Sequence, residues 1–447
     1  MHPALRMEEG TLPLTPKEAE APSASWHAIT KVAFRFAFVY LGLYNSDLAL
    51  HLLPVPPFSW LEPLYQSLRW NVVVWVSRHV LHLAHDFNRD FHNLARGSKD
   101  TTYVWVQILC YLAVAVVVTV AWSLAGSKRR EYACLHAWFL VYLRVCLAAG
   151  LISFGAVKLL RIQFPPPQPS ELVSTVGSFR RDLLMWLSMG VSPIYSFFGG
   201  MMEVVPALLL LTPRLVTLGA LLSIATVTNI LMLNFGYDIG AKSLTINMLL
   251  MSIVIVLPDA ARLTDFFLLN RRAPAARPHP LFRQAWLNRV AAISVFAFGV
   301  VLLSYNLYRC QLEVSQREAS QHTPLYGTWF VDDYSINGQS RPPLSTNAHR
   351  WQRMIVNSSG EVVVQVMTGD FQPLLFRTDP QTHRVILTEP GNAEWIAELT
   401  YDDCHPGSLT LQGTMGGLPI LIRLHREDSS RLPLNNDTIH WVKDSTE

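Results

Sequence analysis

Charge is what this sequence has least of. Lysine, arginine, aspartate and glutamate make up 15% of its 447 residues, against about a quarter in a soluble domain. The deficit is concentrated in residues 103–310, which are mostly apolar. That excludes a wholly soluble protein and indicates a polytopic membrane protein with an appended soluble domain. The net charge of +3 is too small to argue for a nucleic-acid partner. Cysteine is also scarce, with five residues at 110, 134, 146, 310 and 404 and no CxxC, which argues against a disulfide framework or a thioredoxin-type redox pair. Cys310 and Cys404 would pair only if both lay outside the cytoplasm, and spacing alone does not fix the geometry. No nucleotide motif and no paired-histidine haem arrangement occur. Residues 1–28 lack an apolar core, so they read as a disordered cytoplasmic segment rather than a cleavable signal peptide.

What is abundant is long apolar runs. Seven reach the roughly 20 residues that a spanning helix needs: about 29–52, 102–124, 135–160, 193–211, 214–235, 242–258 and 287–308. Lys128, Arg129 and Arg130, then Arg214, then Arg262, Arg271, Arg272, Arg277, Arg283 and Arg289 fall in connectors that seven alternating crossings place on one face, which the positive-inside rule makes the cytoplasm. The N-terminus is then inside and residues beyond about 311 outside. The 53–101 connector carries Arg69, Arg78, Arg89, Arg96 and Lys99 and disagrees, although long connectors escape the rule more easily. Within it, NVVVWVSRHVLHLAHDF (71–87) reads as a partly amphipathic interfacial helix. His79, His82 and His85 recur at a spacing of three, which suggests either a metal or proton-handling site or a polar face against headgroups. Arg78 and Arg89 favour the second by opposing a bound cation.

From about 326 the period changes to short runs rich in β-branched and aromatic residues, such as GTWFVDDYSI, EVVVQVMTGD and LPILIRLHRE, separated by NG, SSG, GN, HPG and MGG turns. Eight or so strands in residues 326–447 predict a small antiparallel up-and-down barrel or sandwich. Asp332, Asp333 and His349 read as turn and surface residues, so the tail is expected to bind or dock a protein or small ligand rather than catalyse.

Charges inside the bilayer are costly and mark candidate sites. Arg144 and Glu203 each lie roughly 14–15 Å from opposite faces by helix rise, which predicts an intramembrane Arg144–Glu203 pair, structural or functional. A second group, Lys158, Gln163, Tyr237, Asp238 and Lys242, gathers at the external ends of helices. It is a candidate ligand-binding site for a quinone carbonyl, a lipid headgroup or a small anion, unless the lysines merely snorkel. The prolines of FGAVKLLRIQFPPPQP (154–169) are expected to stop the helix behind Lys158. FRFAFVYLGLYNSDL (34–48) and LRVCLAAGLISFGAVKL (143–159) echo each other, each with an early arginine.

Residues 135–271, with Arg144, GAVK (155–158) and GGMMEVVPALLLL (199–211), resemble the DoxX-like four-helix core of bacterial integral membrane proteins. KLLRIQFP (158–165), LMWLSMGVSPIY (184–195), NILMLNFGYDIGAK (229–242) and PDAARLTDFFLLNR (258–271) are similar to a larger branch of that family carrying a C-terminal β domain. The resemblance implies a multi-pass protein of the bacterial inner membrane, with residues 29–134 an added helix pair, 272–310 a basic linker and last span, and the β domain periplasmic. GSFRRD (177–182) and Asn247 depart from the branch pattern, where a neutral turn and a histidine are usual. The family has no settled activity. The expected function is a non-catalytic membrane scaffold or lipid-binding protein with an extracytoplasmic docking module, in contact with membrane lipids. The alternative is a quinone-binding membrane oxidoreductase component. No metal site is expected, and quinone is the one cofactor that the resemblance brings in.

Overall fold

Apolar runs of this length must satisfy their backbone hydrogen bonds internally, and they do so as helices. The computed structural model describes residues 26–51, 58–85, 87, 100–126, 131–275, 280–321, 325–379, 381–402 and 407–436. Among the described residues, twelve helices of five residues or more make up a helical domain: α1 (Ala28–Tyr44), α2 (Ser46–His51), α3 (Phe58–His79), α4 (Thr102–Ala125), α5 (Ala133–Leu159), α6 (Pro169–Val173), α7 (Arg181–Val191), α8 (Pro193–Leu211), α9 (Val216–Gly236), α10 (Lys242–Val256), α11 (Ala260–Phe267) and α12 (Ala285–Gln321). Among the described residues six helices are long and apolar enough to cross a membrane, α10 and α11 counting as one run from Lys242 to Phe267. They account for six of the seven expected spans. The seventh, 29–52, divides at Asn45 into α1 and the short α2, because the Asn45 amide turns back to Leu41 O (2.8 Å) and Met251 Sδ (3.3 Å).

The centre of the bundle is α5 against α8, sealed by fully buried Leu143, Leu147, Leu151, Leu210 and Leu211. Two glycines set its register. A Cβ on Gly155 would meet Val204 Cγ2 at 2.6 Å, and one on Gly200 would meet Gly155 O at 2.9 Å. Close approach of this kind is how membrane helices pack without a hydrophobic driving force. Gly299 lets α12 cross the same pair, since a Cβ there would lie 2.1 Å from Leu211 Cδ1. Pro206 breaks the α8 ladder and frees the Met202 carbonyl; Thr226 Oγ1 of α9 donates to it at 2.9 Å. Arg35 of α1 is buried and satisfied by Ser123 Oγ (2.8 Å), Tyr132 OH (2.9 Å) and Gly126 O (3.3 Å) at the end of α4.

The 53–101 connector differs from expectation. Its helix, α3, starts earlier and ends at His79. His82 has a left-handed backbone (φ 51), so His79, His82 and His85 do not share a helical face. Among the described residues no cluster of three metal-ligating side chains occurs; Asp86, Asp90 and His92 lie outside them. Leu61, Leu64, Leu68, Val72 and Trp75 form an exposed apolar stripe on α3, the form of an interfacial helix.

Residues 327–426 form nine antiparallel strands, β1 (Gly327–Ile336), β2 (Gln339–Ser340), β3 (Trp351–Val356), β4 (Val362–Val366), β5 (Phe371–Asp379), β6 (Arg384–Glu389), β7 (Asn392–Asp402), β8 (Ser408–Met415) and β9 (Leu418–Arg426). β1 pairs with β9 and closes an eight-stranded barrel, with β2 a two-residue hairpin arm on β1. Of the two expected alternatives it is therefore the barrel. Alternation along each strand turns Trp329, Tyr334, Trp351, Val364, Leu387, Leu409 and Ile422 inward, where they fill the interior. Arg350, 2% exposed, donates to the carbonyls of Arg341 (2.9 Å), Trp351 (3.1 Å) and Asp332 (3.2 Å). The barrel is a packed body, not a cup.

α12 has 37 residues, about 55 Å at 1.5 Å per residue, and exceeds what a bilayer core needs. Its last turns run out to the barrel, where Ser320 Oγ donates to Ser358 O at 2.6 Å. The β3–β4 turn also holds α6: Gln168 Oε1 accepts from Ser358 N (3.0 Å) and Oγ (2.8 Å), and Asn357 exchanges hydrogen bonds with Ser170 at 3.0 and 3.2 Å.

Candidate functional site

Helix α5 ends inside the protein, before its prolines. Arg161 takes a left-handed conformation (φ 56), so its N–H reaches Lys158 O (3.1 Å) and the Ile162 N–H reaches Val157 O (2.8 Å). A non-glycine residue pays for that conformation, and here the guanidinium is used: Nη2 donates to Gly190 O at 2.5 Å while Arg317 donates to Arg161 O at 3.1 Å. The prolines come later and run as extended chain over Gly190, whose missing Cβ would sit 2.2 Å from Pro165 O. Thus the expectation that prolines end α5 is corrected: the Arg161 turn ends it.

The chain then folds α6 and α7 beside α8, and the space left among α5, α7, α8, α9 and α10 is a cavity of about 1080 Å³. This exceeds the roughly 300–1,000 Å³ typical of small-molecule sites. Its wall is largely apolar and aromatic, with Phe154, Phe164, Trp186, Met202 and Leu233 prominent. Polar groups are few. Lys158, Gln163, Glu203, Asn229 and Asn234 reach it, and Arg180 and Asp182 stand at its edge. Tyr195 and Phe198, each 53% exposed, line the same space and face outward.

Lys158 and Glu203 form its ionic centre. Lys158 Nζ lies 2.8 Å from both Glu203 oxygens, and the two side chains are 10% and 3% exposed. The Gly155–Gly200 register brings them together, because it sets the end of α5 against the tenth and eleventh residues of α8. Glu203 was expected to pair with Arg144. That is corrected: Arg144 Nε donates to Leu210 O at 2.7 Å, one of the last carbonyls of α8, which lack helical partners. The same register that joins 158 to 203 carries Arg144 beyond Glu203 to the helix end. Arg35 meets Gly126 O at the end of α4 in the same way, so the two arginines of the sequence echo have equivalent roles.

The expected ligand group splits. Lys158 and Gln163 line the cavity; Tyr237, Asp238 and Lys242 do not. Lys242 Nζ bonds Asp238 Oδ1 at 2.8 Å and lies 3.9 Å from Asp100, whose carboxylate caps α10 through Lys242 N (2.7 Å) and Ser243 N (2.8 Å). This cluster closes a turn, and the lysine holds the Asp238 carboxyl below its usual range through their hydrogen bond. Asp238, at φ 55, spends its side chain on that turn. At the cavity edge Arg180 Nη2 and Nε clamp Asp182 at 2.5 and 3.1 Å and lower its carboxyl likewise. Asn247, off the cavity, accepts from Tyr40 OH at 2.8 Å and ties α10 to α1.

Sequence reasoning missed the Lys158–Glu203 pair, the aromatic wall from Phe154 and Trp186, and the place of Asn229 in the cavity lining. The visible signal was GAVK and GGMME, two glycine-bearing segments each followed within three residues by a charge.

No family model matches the chain, and no solved structure matches it. It is similar to the uncharacterized protein YwoB of Bacillus subtilis, 29% identical over 124 residues, which span 28% of this chain and 79% of that one. The similarity therefore covers less than a third of the chain and brings no activity with it.

Proposed function

We propose that the chain is a DoxX-like integral membrane protein of the bacterial inner membrane that binds a lipophilic ligand between its helices and presents an extracytoplasmic barrel for docking. The observation that carries this reading is the cavity of about 1080 Å³ with an apolar, aromatic wall and a buried Lys158–Glu203 pair. An apolar site with a few converging polar groups is the ordinary form of a ligand pocket, and the exposed Tyr195 and Phe198 give it a side open to lipid. The barrel supports docking rather than enclosure, since its own side chains fill it. The barrel is periplasmic on the loop-charge argument, and the N-terminus is cytoplasmic on the reading that α1 also crosses. The reading is non-catalytic, that of a scaffold or lipid-binding protein.

Native mass spectrometry of the detergent-purified full chain tests it. A co-purified lipophile should appear and be lost in Ile230→Trp, which puts an indole into the cavity wall. A clean apoprotein, with no lipid retained on addition, sinks the reading. The alternative, a quinone-linked oxidoreductase component, predicts that the lipophile is a quinone and that Lys158→Ala slows quinone reduction in membranes.

A further inference from the structure

The cavity's charges are balanced in two separate places. Lys158 Nζ gives two of its three N–H bonds to Glu203, at 2.8 Å each. Wherever the shared proton rests, the pair carries no net charge. At the edge, Arg180 and Asp182 form a two-bond ion pair and cancel again. The remaining polar lining is neutral amide and hydroxyl: Gln163, Asn229 and Asn234 with Ser178, Tyr195, Thr226 and Thr245. One of these is unmet. Gln163 Oε1 is buried and has no hydrogen-bond partner, which is costly for an acceptor unless a donor arrives.

We infer that the ligand is an uncharged, hydroxyl-bearing long-chain lipid, of the class of monoacylglycerols and long-chain alcohols. The inference rests on the proposed binding reading and specifies its headgroup. A hydroxyl hydrogen is the partner Gln163 Oε1 lacks, and a hydroxyl or ester oxygen is what the third Lys158 N–H can meet. A fatty-acid carboxylate or lipid phosphate would bring a net negative charge beside Glu203 into a balanced, apolar site, at the cost of an uncompensated buried charge. A cationic amphiphile would meet the same cost beside Lys158. The tail lies against Phe154, Trp186 and Leu233.

The test uses the full-length protein in detergent with 1-oleoylglycerol, oleate and oleylamine as probes, followed by native mass spectrometry over a concentration series. The wild type should half-saturate with oleoylglycerol at about tenfold lower concentration than with either charged probe, a difference of about 1.4 kcal/mol. Glu203→Gln leaves Lys158 positive and should invert the order toward oleate. The double variant Lys158→Met/Glu203→Gln, neutral again, should restore the preference for oleoylglycerol and stands in if the single variant does not fold. Oleate binding the wild type as tightly as oleoylglycerol overturns the inference while leaving a ligand site in place. Failure of all three probes to bind overturns the proposed function itself.

Discussion

Lys158 and Glu203, forty-five positions apart in sequence, share two 2.8 Å contacts at a level where α8 has already run ten residues. A buried pair of this kind contributes little by being present and costs much when halved.

Halving it is the first expected outcome. Lys158→Met or Glu203→Leu alone should destabilise the helical domain by about 3–5 kcal/mol, whereas the double apolar variant should recover most of the loss. Thermal unfolding in detergent measures it. A double variant no more stable than the singles would show that the pair is not an isolated unit.

Thr226 and Pro206 make a second pair, coupled through a carbonyl. Thr226→Val strands Met202 O and should cost about 1–3 kcal/mol. In a Pro206→Ala background the restored N–H takes that carbonyl, so the same substitution should cost far less. The coupling energy from a double-mutant cycle checks this.

At the α5–α8 crossing, Gly155→Ala places a Cβ 2.6 Å from Val204 Cγ2 and 3.0 Å from Gly200 O. The expected loss is about 1–3 kcal/mol. Since the crossing also sets the register, hydrogen exchange should rise along residues 155–165 in that variant; unchanged exchange there would contradict a register role.

Barrel docking depends on Gln168, Ser170, Asn357 and Ser358. Gln168→Ala and Asn357→Ala should each remove about 1 kcal/mol and increase protease cleavage between 160 and 180. An unaltered cleavage pattern would mean that α12 alone holds the barrel.

The same contact has a pH dependence. Burial raises the Glu171 carboxyl above its ordinary value, against the opposing bond from Gln168 N. A raised acid favours the folded state below its unfolded value, and that contribution is lost as pH rises toward the folded one. Protection of residues 168–173 should therefore fall as pH rises through the carboxylate range, and Glu171→Gln should abolish the slope. A slope that persists in the variant would assign it to another group.

Element type was legible where one property decides it. Long apolar runs form helices in lipid, and alternating β-branched runs with glycine turns form strands, so a helical domain and an antiparallel β domain follow from residues 102–308 and 327–426, whereas closure into a barrel rather than a sandwich was decided by the β1–β9 pairing. Helix ends were less legible. The Arg161 turn lacks the glycine that usually marks such an ending, and Asn45 divides a run that hydropathy treats as continuous.

Residue depth was the weak step. Counting from helix starts put Arg144 level with Glu203, but the count assumes that both helices begin at the membrane faces. α8 extends well past the end of α5, so the true partner of Glu203 lies at position 158. The sequence by itself determined which residues are too polar for lipid: Arg35, Arg144, Lys158 and Glu203. Only the tertiary structure decided how they are satisfied, because pairing depends on helix register, and register is set by the glycine contacts Gly155, Gly200 and Gly299 across chain-distant segments. Lys158 of the FGAVKLL stretch thus needed its neighbour from α8 before its place in a cavity could be known.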